Sequence, residues 1–222
     1  MDDRVGALTA TGQASRAPGE LLSATPTADG GFVATGWVDE DRDGEADLLY
    51  VSVDASGTER WKGRIDLPAG DEFGDCVVPM GPEFLVIGRT TSMGVGSTDL
   101  LLARISAAGV PVWQRTTGTA GLDGTFGRPR ATVAPDGSYF VCAGRDHTGW
   151  QGDDLRLVRL SAVGAVVWER VIDAAEDTPK SVCATADGGC LLLGDIVTPG
   201  GRDHDLWLVK VDAAGSVEWE RA

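Results

Sequence analysis

The densest chemistry in the chain is the stretch Asp39-Glu-Asp41-Arg-Asp43-Gly44-Glu45-Ala-Asp47. It sets carboxylates at positions 1, 3, 5 and 9 of a loop, with glycine at position 6. Calcium takes six to eight oxygens, and a short loop supplies them by alternating side chains around a bend that glycine permits. The backbone carbonyl of Glu45 would add a further oxygen. The spacing predicts one calcium ion held by Asp39, Asp41, Asp43, Glu45 and Asp47. A second reading is a solvated acidic loop in which Asp47 only anchors the next strand, because Asp47 recurs as Asp99, Asp154 and Asp205. Tyr50 stands where a helix–loop–helix calcium site would carry glutamate, and no flanking helix is predicted.

The two histidines, His147 and His204, fall in equivalent loops beside Asp146 and Asp203. Such pairs could ligate a metal or move a proton. Against this, neighbours on an extended strand point to opposite faces, so Asp203-His204-Asp205 cannot converge on one ion. Trp37 and Trp150 lie in or beside the same loops, where an aromatic face can stack on a sugar, anchor a peptide or cap a core. No phosphate-binding motif occurs in a strand–loop–helix setting, and no nucleophile elbow is present. The residues nominate no catalytic nucleophile, and the chain is expected not to be an enzyme.

The formal net charge is −15. That excludes a general affinity for DNA, RNA or anionic lipid, which needs clustered Lys and Arg; it suits a cationic ligand, a protein partner, bound metal or simple solubility. No apolar run approaches the roughly 18 residues of a membrane span. The start, Met1-Asp2-Asp3-Arg4, lacks the blocks of a signal peptide, so a soluble chain is expected. Cys76, Cys142, Cys183 and Cys190 show no metal spacing, and are expected as small buried free thiols.

The elements that position these residues come from a repeat. Trp61, Trp113, Trp168 and Trp219 close four similar phrases, such as Lys210-Val-Asp-Ala-Ala-Gly-Ser-Val-Glu-Trp219. They stand about fifty residues apart, a period at which one unit must stack on the next to bury its faces. Within each unit, Asp29-Gly30, Asp136-Gly137 and Asp187-Gly188 predict type I′ hairpins; the second copy has Met80-Gly-Pro-Glu83 instead. Then come Asp47-Leu-Leu-Tyr, Asp99-Leu-Leu-Leu, Asp154-Leu-Arg-Leu and Asp205-Leu-Trp-Leu, strands apolar at nearly consecutive positions and so covered on both faces. A tight turn on glycine leads to the strand that carries the tryptophan.

These phrases resemble the bacterial β-propeller repeats of the form Asp-Gly-Gly, a short apolar strand, and then Asp-x-x-Leu-Val-x-x-Asp-x-x-Gly-x-Val-x-Trp. The resemblance covers residues 20–222 and implies an all-β propeller. It would have four complete four-stranded blades over 18–66, 67–117, 118–172 and 173–222, preceded by a partial blade at 1–17 with Arg16 in the tryptophan position. The 39–47 loop separately resembles the calcium loops of integrin α-subunit propellers. Fold alone does not give activity.

In such blades the uniform tight turns share one face. The other carries the long unequal loops 37–46, 89–98, 145–153 and 195–204 and the link 66–75, where binding residues are expected. Acidic residues gather there as well. The expected function is therefore a non-enzymatic binding or scaffolding module using its acidic loop face. The alternatives are an enzyme or lectin with a site at the ring mouth, and a half-ring or fragment that self-associates, with a homodimer as one form.

Overall fold

The computed structural model describes residues 17–68, 70–118, 122–123, 128–146, 153–172, 176–197 and 204–222. The partial blade expected at 1–17 therefore lies almost wholly outside the described residues. The chain is all-β, and each repeat forms one antiparallel sheet. The first sheet is β1 (Gly19–Pro26), β2 (Phe32–Val38), β3 (Asp47–Val53) and β4 (Glu59–Ile65). The second is β5 (Glu72–Met80), β6 (Glu83–Thr90), β7 (Asp99–Ile105) and β8 (Pro111–Thr117). The third is β10 (Arg130–Val133), β11 (Tyr139–Asp146), β12 (Asp153–Leu160) and β13 (Val166–Ile172), with a two-residue strand β9 (Leu122–Asp123) added against β11. The fourth is β14 (Glu176–Ala184), β15 (Cys190–Val197), β16 (His204–Val211) and β17 (Val217–Arg221). No helix among the described residues is long and apolar enough to cross a membrane.

The hairpin turns differ from the type I′ expectation. Gly30, Gly137 and Gly188 have positive φ, but the preceding aspartates do not. Thr27 N–H donates to Gly31 O and Gly30 N–H to Thr27 O, closing a three-residue loop whose last residue is left-handed. The aspartate has another use: Asp29 Oδ1 accepts from Thr27 Oγ1 and Asp187 Oδ1 from Gly189 N, so its side chain fixes the turn.

Burial follows the joints between sheets, not one central core. Leu48 and Tyr50 of the first sheet pack on Val86 and Leu101 of the second, with Trp61 at the edge. Leu100 and Leu102 pack on Tyr139 and Val158, beside Trp113. Leu155 and Leu157 pack on Cys190 and Trp207, beside Trp168. Each joint is thus made by the forward face of one blade and the rear face of the next. Among the described residues no such cluster joins the fourth blade to the first. Cys76, Cys142 and Cys190 are buried free thiols as expected; Cys183 is exposed, a correction that follows from its place on the forward face of the last blade.

Candidate functional site

The first strand of each blade lies innermost and touches the first strand of its neighbour. Three of these strands carry a bulge at the end nearest the long loops: between Leu21 and Ser23, between Gly74 and Cys76, and between Pro179 and Ser181. A bulge adds one residue, disrupts the ladder locally and re-aims a side chain. The added residues are Leu22, Asp75 and Lys180. On the second strands Trp37, Arg89 and Asp195 hold equivalent positions, paired with Glu20, Phe73 and Thr178, two residues before each added one.

Two of these pairs are ionic, with reversed sense. Arg89 Nε lies 2.8 Å from Asp75 Oδ2, and Lys180 Nζ lies 3.0 Å from Asp195 Oδ1. Asp75 is fully buried; Arg128 Nε stands 4.0 Å from its carboxylate, and Arg130 Nη1 donates to its backbone oxygen at 3.3 Å. The Arg89 guanidinium lies over the Phe73 ring at 4.6 Å, and Phe73 meets Trp37 edge-on at 6.2 Å. At this end of the inner strands blade two therefore sets Asp75 with Arg89 beside the Phe73 and Trp37 rings, and blade four sets Lys180 with Asp195. Sequence reasoning singled out Trp37 but missed Arg89 and Lys180. The signal that could have found them is the exchange of charge at equivalent positions of blades two and four.

The acidic loop divides. Oxygens of Asp39, Asp41 and Asp43 lie within 4.8 Å of one another, and so do those of Asp41, Asp47 and Asp66. Arg42 (φ 64) and Gly44 (φ 93) are left-handed, which folds the loop back on itself. Asp39 Oδ1 is a buried oxygen with no donor. Asp47 instead accepts from Arg64 Nη1 at 2.7 Å, and the same nitrogen reaches Asp41 at 2.9 Å. Glu45 turns its side chain to Gly70 N, 3.1 Å away. The five expected ligands are thus not all directed at one point: Asp39, Asp41 and Asp43 could hold a cation, Asp41 while also paired with Arg64, whereas Asp47 and the Glu45 side chain are engaged elsewhere.

The acidity of the loop face is also countered more fully than composition suggests. Lys62 pairs with Glu40, Arg64 with Asp66 and Arg145 with Asp154. Asp47, Asp99 and Asp154 are buried at strand starts, and Asp99 Oδ2 accepts from Gly96 N at 3.0 Å. Asp146 and His204 are placed by backbone alone, at the end of β11 and the start of β16; His147, Trp150 and Asp203 lie outside the described residues.

The assembly of blades defines a propeller-class protein. No protein-family model matches the chain, and no curated protein is recognisably similar to it in sequence. Among solved structures, an endo-arabinase from Bacteroides thetaiotaomicron matches with TM-score 0.53 and 8% identity, over 91% of this chain and 79% of that one. An α-L-arabinofuranosidase from Clostridium thermocellum matches with TM-score 0.49 and 13% identity, over 93% and 73%. The likeness is one of fold. It corrects the expectation that the chain is not an enzyme, since that expectation rested on the absence of familiar motifs, and the endo-arabinase shares the architecture at 8% identity.

Proposed function

We propose that the protein is a propeller enzyme that cleaves glycosidic bonds of a polysaccharide at the mouth of its inner strands, with Asp75 and Asp195 as the working carboxylates. The observation that carries this reading is the bulge at the head of β5 and β14, which sets an ion pair at the same point of two blades, with its carboxylate on the first strand in one (Asp75) and on the second strand in the other (Asp195). Glycoside cleavage uses two carboxyl groups flanking the scissile bond. Trp37 and Phe73 supply ring faces on which a sugar can rest. The fold it shares with an endo-arabinase makes arabinan the first substrate to try.

The test is release of reducing ends from a panel of polysaccharides that includes arabinan. Wild type is expected to be active on at least one. Asp75→Asn and Asp195→Asn should each lower the rate about 10²–10⁴-fold, the usual worth of general acid–base groups. No release from any substrate, or full activity in both variants, would overturn the reading.

We also infer that the 39–47 loop takes one calcium ion through Asp39, Asp41 and Asp43. The buried, donorless Asp39 Oδ1 beside two other carboxylates supports it. Calcium has no redox chemistry, and at this site it would stiffen the loop at the edge of the mouth.

A further inference from the structure

Every joint between blades is built from the same parts, and one full set of those parts has no counterpart among the described residues. Leu48, Leu100 and Leu155 occupy one position of the repeat, on the forward face of the third strand, and are exposed by 0%, 1% and 0%. Their equivalent in the last blade, Leu206, is 85% exposed. On the rear face, Phe84, Tyr139 and Cys190 are 9%, 2% and 0% exposed, whereas their equivalent in the first blade, Phe32, is 48% exposed.

The polar parts of the joint are duplicated too. Where blade three meets blade four, Trp168 Nε1 donates to Ala213 O at 3.2 Å, and Arg159 Nη1 donates to Ala213 O and Gly188 O. Arg170 stacks on Trp168 and reaches Ala214 O. The Trp168 ring lies against Gly215, where a Cβ would stand 3.2 Å from it. Blade four repeats the donor side with Trp219, Lys210 and Arg221, the last again stacked on its tryptophan. Blade one repeats the acceptor side. Its turn from Asp54 to Thr58 has the same hydrogen bonds as the turn from Asp212 to Ser216, and Gly57 (φ 84) matches Gly215 (φ 89). Gly57 is exposed, while Gly215 and Gly164 are buried under the tryptophan of the preceding blade.

We propose that the forward face of blade four docks on the rear face of blade one of a second copy of this chain, remaking the joint between blades three and four. Trp219 then donates to Ala55 O and lies on Gly57, Lys210 faces the Gly30 and Ala55 carbonyls, and Leu206 and Phe32 enter the new apolar layer. The continuity with the three joints inside the chain selects this occupant, since only a blade of the same repeat presents that turn beside an apolar rear face. The two faces differ, so the contact is heterologous: it closes into a ring if the rotation allows, and continues otherwise.

The experiment is absolute mass by light scattering after size exclusion on the full chain, with Leu206→Asp and Phe32→Asp. Wild type at high micromolar concentration should exceed the single-chain 23.1 kDa by at least twofold. Each variant alone should run as a single chain with unchanged circular dichroism, because each substituted residue is exposed in the isolated chain. Mixed one to one, the variants should form a two-chain species and nothing larger, since one intact face of each kind remains. A monomeric wild type, or a mixture that stays monomeric while wild type associates, overturns the proposal; a monomeric wild type that Phe32→Asp destabilises would assign that face to residues 1–16 of the same chain.

Discussion

Arg64 Nη1 lies 2.7 Å from the Asp47 carboxylate and occupies the side of that residue on which the loop ladder would have placed a cation. Burial pushes the Asp47 carboxyl up from 3.8 to about 6; Arg64 pulls it down, and the nearby Asp66 and Asp41 push it further up. The folded chain therefore holds this proton more tightly than the unfolded chain between those two values. By linkage, the Asp47 contribution to stability falls as pH rises from about 4 to about 6 and is constant above. Thermal melts across that range should show Asp47→Asn without this slope. A wild-type and variant pair that stay parallel from pH 4 to 6 would contradict the assignment.

The turn aspartates act in the opposite sense. The Thr27 hydroxyl and then the Arg60 guanidinium hold Asp29 down at about 2, and hydroxyl, lysine and backbone donors hold Asp187 lower still. Asp54, Asp136 and Asp212 are lowered by similar turn contacts. Each contributes stability above its unfolded value that is lost as pH falls through the folded one. An acid limb below about pH 4 is expected; Asp187→Asn should shrink it and lower the melt at pH 7 to 8, where the wild-type carboxylate contributes in full.

Arg156 is fully buried at the joint of blades two and three. Its Nε and Nη2 hold both oxygens of Glu169, and Nη1 and Nη2 reach Thr117 O and Oγ1. Removing one member of such a group leaves the others desolvated without a donor, at a cost of about 3–5 kcal/mol. Arg156→Met should lower the urea midpoint accordingly. A loss under about 1 kcal/mol would mean that the Glu169 carboxylate escapes to solvent, as a surface pair would.

Gly109 and Gly57 share a turn and a positive φ but differ in what covers them. A Cβ at Gly109 would come 2.6 Å from the Trp61 ring. Gly109→Ala therefore meets both backbone strain and a clash, about 1–3 kcal/mol together, and Gly57→Ala, at an exposed turn, shares the strain. The difference between the two in denaturant measures the fit of the tryptophan seat.

For the 39–47 loop, adding calcium to chelator-treated protein should raise the melting temperature, and Asp43→Asn should remove the effect. Asp43 makes one local contact, accepting from Glu45 N at 2.9 Å, so the variant should otherwise melt near wild type. An unshifted melt in wild type would leave the loop as a solvated acidic turn.

The repeat made the blades legible before any coordinates. Asp-Gly turns, consecutive apolar strands and the periodic tryptophans each obey local rules, because hairpins are closed by neighbours in sequence. The type of turn departs from the Asp-Gly expectation for a local reason as well: in that turn Gly30 alone takes the left-handed position, and Asp29 bonds the turn with its side chain.

What the sequence determined by itself is therefore the blade, its strand order and the identity of its packing residues. The tertiary structure decided which residues meet across blades and strands. Asp75 with Arg89 and Lys180 with Asp195 are separated in sequence and brought together only by bulged register. Arg64 reaches Asp47 across a strand pair, and Leu206 is left in solvent because no blade among the described residues covers its forward face. Spacing in sequence fixes local geometry, but these ion pairs depend on the register of neighbouring strands within a blade, and burial on neighbours about fifty residues away, which only the stacking of repeats supplies.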